Sequence, residues 1–248
     1  MIIVYIHIPY GSGGMKNMDT DHPRLHALTA IQTNLPLKAA YTLDELAHAT
    51  RRSRPTAYRY LTELEQNGFV IAHHGGAFSL RDSVFLPATI IPHIIPSLHA
   101  LKKAKRFRLH NGKPGVTRAK KLLSEVSGMT TLDYAAYEIT GCQTPDTFYF
   151  YPDLFEEAVQ LLRANNYVES PKGKVVLLPK IGDFSNPTLR VFYDSLALGG
   201  RGMLDAIAIS SRYPDITKSS EYLNFLLSLA RKVEQDTRGA DKIGQHTR

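Results

Sequence analysis

Apolar residues recur at three- and four-residue steps from Leu25 through Leu28 and Ile31 to Leu35, which predicts a helix that Pro36 stops. A second, shorter helix is predicted over YTLDELAHATRRS, where Leu43, Leu46 and Ala47 share a face. Its start carries Thr42 and, three residues on, Glu45, the pair whose hydroxyl and carboxylate each satisfy an orphan amide. A third helix opens at Ser53, read as its N-cap, and tolerates Pro55 because a first-turn N–H has no partner to lose. Ala57, Leu61 and Leu64 form its inward stripe, and Gly68 ends it. FVIAHHGGAFSL then alternates about a His-Gly-Gly turn, as a β-hairpin does.

Pro87, Pro92, Pro96 and Pro114 break any long helix, so residues 85–116 read as a proline-rich connector with one short helix near 97–105. From Thr117 the periods mix. TRAKKLLSEVSG reads as a helix closed by Gly128, and TLDYAAYEITG as another followed by Gly141. DTFYFY and KVVLLP read as strands, and DLFEEAVQLLRANNYV as an amphipathic helix capped by Asp153. NPTLRVFYDSLALGGRGMLDAIAIS runs helix, glycine turn, helix. EYLNFLLSLARKVEQ is the last amphipathic stretch of a 117–235 region, and 236–248 reads as a flexible tail. Residues 1–21 read as a non-native or flexible extension, with Met1, Met15 or Met18 as the start of translation.

Two helices, a short turn, a third helix and a hairpin over 22–84 make the order of a winged helix-turn-helix. Thr56-Ala57-Tyr58-Arg59-Tyr60-Leu61, then Leu64-Glu65 and Gly68-Phe69-Val70, resembles the recognition helix and following wing of winged-helix transcription regulators. With Ala57, Leu61 and Leu64 turned inward, Arg54, Thr56, Tyr58 and Arg59 occupy the outer surface of the helix start, the part that enters a major groove. Arg54 or Arg59 suits guanine edges, while Ser53, Thr56, Tyr58 and the preceding Arg51 and Arg52 suit phosphates. His73 and His74 at the wing tip are read as turn or phosphate contacts rather than metal ligands. A module that docks protein instead of DNA fits the same helix order, but four arginines around one helix start serve it poorly.

Charge sharpens this picture. The formal net charge is +7, and nine basic residues with no acidic one lie between His99 and Lys121. Among them Lys102, Lys103, Lys105 and Arg106 directly follow the helix-turn-helix and are expected on duplex phosphates, a solvated linker being the alternative. Cys142 is the one cysteine, so no intramolecular disulfide or cysteine-based zinc site forms; it is expected to be buried or half-buried in a cytoplasmic protein. No apolar run approaches the roughly 20 residues of a membrane span.

The second half resembles the C-terminal domain of the AbiEi family, the antitoxins of type IV toxin–antitoxin systems. YAAYEITGCQTPDTFYFY, YVESPKGKVVLLP and NPTLRVFYDSLALGGRGMLDAIAI carry the resemblance in that order, Ser195 standing where the family usually has Leu. It implies an α+β protein: an N-terminal winged helix-turn-helix, then a mixed α/β nucleotidyltransferase-like domain lacking the catalytic motif. It also implies operator DNA as partner, repression of the protein's own operon, and a nucleotidyltransferase-like toxin opposed without obligatory contact. Nucleotidyl transfer needs Gly-Ser followed by an Asp-x-Asp pair on Mg²⁺. Asp19-Thr20-Asp21 follows Gly11-Ser12 too closely and precedes the wing domain. Asp194 and Asp205 flank the Gly199–Gly202 turn and read as caps or salt bridges, and the turn as a tight connection rather than a phosphate cradle. The expectation is therefore no enzyme, no cofactor and no metal, in a monomer or homodimer. The alternatives are a nucleotidyltransferase-fold enzyme using Asp194 or Asp205, and a regulator whose second domain binds a ligand or protein.

Overall fold

The computed structural model describes residues 23–36, 38–86, 90–111, 113, 115–182 and 184–217. The expected N-terminal extension, the final amphipathic stretch 221–235 and the tail lie outside the described residues.

Helices α1 (Pro23–Asn34), α2 (Leu43–Thr50) and α3 (Arg54–Gln66) pack about Leu28, Ile31, Leu46, Ala57, Leu61 and Leu64, all buried. The reciprocal cap forms as expected: Thr42 N–H donates to Glu45 Oε2 at 2.8 Å, and Glu45 N–H to Thr42 Oγ1 at 3.3 Å. Arg51, with φ 52°, turns the chain sharply out of α2. Ser53 holds the N-cap position of α3 but caps no amide; its hydroxyl meets that of Thr56 at 3.1 Å. Gly68 takes φ 78°, and the wing follows as β2 (Val70–Ala72) and β3 (Ala77–Leu80) around the His-Gly-Gly turn. A third strand, β1 (Tyr41–Thr42), precedes α2 and pairs with β3, and the buried Tyr41 ring stacks on Phe78.

The stretch expected as a connector is built into the fold. Helix α4 (Ile91–Lys102) contains Pro96, and β4 (Lys105–Leu109) is an interior strand. Pro92 lies in the first turn, where it costs no bond, and Ile91, Ile94 and Leu98 bury into the same core as the wing domain. That burial outweighs the one amide lost at Pro96.

Beyond it run α5 (Val116–Leu123), β5 (Gly128–Thr131), α6 (Leu132–Thr140), β6 (Phe148–Pro152), α7 (Phe155–Ala164), β7 (Tyr167–Glu169), β8 (Val175–Leu177), α8 (Pro187–Leu198) and α9 (Arg201–Arg212). The sheet order is β5-β6-β8-β4-β7, antiparallel except for the β6–β8 pair. Strand β6 is buried on both faces: Phe148 and Phe150 point toward α5 and α7, Tyr149 and Tyr151 toward the α4 side. Two expectations need correction here. Gly128 does not close α5; it opens β5, where a Cβ would lie 2.4 Å from the Tyr151 carbonyl oxygen. Asp153 does not cap α7, whose N-cap is Leu154; its carboxylate accepts from Lys180 Nζ at 2.9 Å and from Ser127 Oγ.

One apolar cluster joins Leu28, Leu64 and Phe78 of the wing domain to Leu98 of α4 and to Val191, Phe192 and Ile209 of α8 and α9. Gly199 and Gly200 make the α8–α9 turn with φ 70° and 49°, and Gly202 brings the two helices so close that a Cβ there would meet the Ser195 carbonyl oxygen at 2.3 Å.

Candidate nucleic-acid interface

The inward stripe of α3 leaves its opposite flank bare. Arg51, Arg52, Ser53, Arg54, Tyr58 and Arg59 are exposed, and Thr56 is half-buried. Tyr58, an aromatic ring left 60% accessible, has no core to enter. Arg54 Nε lies 3.3 Å from Asp44 Oδ1, both side chains about 70% exposed, a pair worth under ~1 kcal/mol that yields readily to a phosphate. At the wing, His73 and His74 are exposed, and His73 Nε2 lies 3.0 Å from Ser79 Oγ.

The structure also brings in residues from forty positions away. An open groove of about 1030 Å³ runs between the outer flank of α3, with Tyr58, Arg59, Thr62 and Gln66, and the end of α4, with His99, Lys102 and Lys103. Lys102 Nζ donates to the Glu65 carbonyl oxygen at 3.1 Å, where the C-terminal end of α3 concentrates partial negative charge. His99 Nε2 meets Asn67 Oδ1 at 3.3 Å. The basic belt is thereby divided. Lys102 and Lys103 wall the groove, whereas Lys105 pairs with Glu156 at 3.2 Å, and the half-buried Arg106 donates to the Gly173 carbonyl oxygen and lies over Tyr149. Thr62 and Gln66 were not foreseen; their place depends on where α4 docks, which no local pattern encodes.

Residues 36–72 match the family model of the IclR helix-turn-helix domain. The match spans β1, α2, α3 and β2 and so contains the whole exposed arginine surface. This is a helix-turn-helix DNA-binding domain, and the groove lies along its recognition helix. No curated protein and no solved structure matches the chain.

The carboxylates of the second half lie elsewhere. Asp194 is fully buried, accepts from Thr131 Oγ1 at 2.6 Å and Tyr151 Oη at 3.1 Å, and lies 3.0 Å from Arg190 Nε. Burial pushes its carboxyl up, against the pull of Arg190. Asp205 accepts from Gln143 Nε2 at 2.8 Å, and burial, with Asp133 nearby, pushes it up to about 6. Among the described residues no three His, Cys, Asp or Glu side chains group as metal ligands, and no helix is long and apolar enough to cross a membrane. The Gly200 amide already donates to Asp82 Oδ2 at 2.6 Å, so an internal carboxylate occupies the anion-binding position of the turn. Cys142, expected buried or half-buried, is exposed; it follows the left-handed Gly141 at the end of α6.

The raised Asp205 carboxyl has a measurable sign. Its folded value lies above that of the unfolded chain, so the folded state binds the extra proton, and its contribution to stability, full below about pH 4, is lost as pH rises through about 6. Asp205→Asn keeps an acceptor for Gln143. Urea denaturation across this window is expected to show a fall in stability from pH 4 to 7 in the wild type that is shallower in the variant.

Proposed function

We propose that the protein is a transcription regulator of the AbiEi antitoxin type. It binds operator DNA upstream of its own gene through the start of α3 and represses that operon. It opposes a nucleotidyltransferase-like toxin encoded beside it, without obligatory contact and without catalysis of its own. The observation that carries the DNA-reading part is the exposed Arg54–Arg59 surface on a matched recognition helix. The antitoxin part is supported by the three resembling segments, which fold as α6 to β6, β7 to β8 and α8 to α9 in order. Enclosure of Asp194 by Arg190, Thr131 and Tyr151 supports a second half that does no metal chemistry.

A mobility-shift titration with the upstream region of its own gene tests this reading. A retarded complex that resists excess unrelated duplex is the expected result; binding no tighter than to unrelated DNA sinks it. A reporter driven by the same region should be repressed by the protein. Neutralising Lys102 and Lys103 to alanine should flatten the slope of log K against log salt by about 2, leaving sequence preference unchanged.

A further inference from the structure

Side chains hold the end of α3 against the end of α4. Asn67, buried at the C-cap of α3, donates from Nδ2 to the Glu63 carbonyl oxygen at 2.7 Å. That bond commits the amide nitrogen, so Oδ1 faces His99 Nε2 at 3.3 Å and can only accept there. The imidazole nitrogen is therefore the donor. Three residues further along α4, on the same helix face, Lys102 Nζ donates to the Glu65 carbonyl oxygen at 3.1 Å and answers the partial negative charge of the helix end. Beside these two bonds Leu98 packs on Gly68, where a Cβ would lie 3.4 Å from Leu98 Cβ.

The groove lies between the helices so joined. Its α3 wall presents Tyr58 and Arg59, its α4 wall Lys102 and Lys103, and its one carboxylate, Glu63, is outnumbered by these three cations. Arg59 belongs to the flank that suits base edges, and the two lysines to the set that suits phosphates. Phosphate contacts fix the register of a protein on the duplex, while base contacts carry the sequence. The offset between the two walls therefore decides whether both sets of contacts form at once.

We propose that Asn67 and His99 are positioning residues for operator reading. Their bond, with that of Lys102 to Glu65, clasps α4 to the end of α3 and keeps the phosphate-holding lysines in step with the base-reading flank. The inference rests on the DNA-reading role of α3 and names a determinant of selectivity that touches no base. A loosened clasp lets the lysines take phosphates at the wrong offset, which costs preference for the operator. Taking the lysines away leaves nothing to misplace.

The test measures the affinity of the full chain for the upstream region of its own gene and for an unrelated duplex of equal length. His99→Ala should lower the ratio of the two affinities by about fivefold or more, as for residues coupled within one contact network. His99→Gln lacks the imidazole as alanine does but carries an amide nitrogen at the reach of Nε2, and should return the ratio to within about twofold of the wild type. In a Lys102→Ala/Lys103→Ala background, His99→Ala should change the ratio by less than about twofold, because its effect passes through the lysines. A wild-type ratio in His99→Ala overturns the proposal. So does the same loss with the lysines absent, which a general loosening of the fold would produce. Wild-type protein with no preference for the upstream region overturns the operator reading on which the proposal rests.

Discussion

Changing Arg54 and Arg59 together to alanine lowers affinity for the upstream operator at least tenfold, and by about 2–6 kcal/mol where both guanidiniums read base edges. The two side chains stand on the outer flank of α3 while Ala57, Leu61 and Leu64 hold the helix in the core. Their removal therefore takes contacts from the complex and almost none from the free protein. Urea denaturation of the double variant should match the wild type within about 0.5 kcal/mol, as for surface substitutions generally. Discrimination should fall more than non-specific affinity, since arginine paired to guanine supplies sequence information that phosphate contacts lack. Operator binding that survives the double change removes α3 as the reading element.

The other large effect is on stability. Arg190→Ala is expected to cost about 3–5 kcal/mol, because it leaves the Asp194 carboxylate buried without its counter-charge. Arg190 is itself buried; its Nη2 donates to Tyr151 Oη at 3.0 Å, and its guanidinium lies 4.7 Å from the Phe184 ring centre. One side chain thus ties α8 to β6 and to the loop before α8, while Asp194 ties α8 to Thr131 at the end of β5. Removing both charges, as Arg190→Met/Asp194→Leu, should recover much of the loss, since a buried pair replaced by apolar groups of similar size is often neutral. Chemical denaturation of the three proteins decides it. A loss for Arg190→Ala below about 1 kcal/mol would refute the assigned role of the pair.

What the pattern of residues revealed, and what it hid, divides along physical lines. The Thr42–Glu45 cap, the α3 stripe, the wing turn and the β6 aromatics were all legible because each depends on neighbours within a few positions. Strand β4 was not. Its alternation is clear afterwards, but Lys105, Arg106 and Arg108 around one Phe read as solvated charge until a sheet closes on Phe107. Only the end of α4, within the short helix expected near 97–105, was legible; its first half was masked by Pro92 and Pro96, whose cost is repaid only by packing against α8 and the wing domain. β7 is three residues long, too short for its period to show. For the site, the α3 surface could be read directly, whereas the contribution of α4 depends on Leu98 packing beside Gly68, where a Cβ would lie 3.4 Å from Leu98 Cβ, a tertiary contact.

Helix α4 roofs the sheet with one flank and walls the groove with another, so the helix-turn-helix and the second half share one packed helix. Asp82 reinforces this by fastening the exit of the wing to the α8–α9 turn. Any molecule that shifted α4 along its axis by a single residue rise, about 1.5 Å, would widen or narrow the groove between α3 and α4.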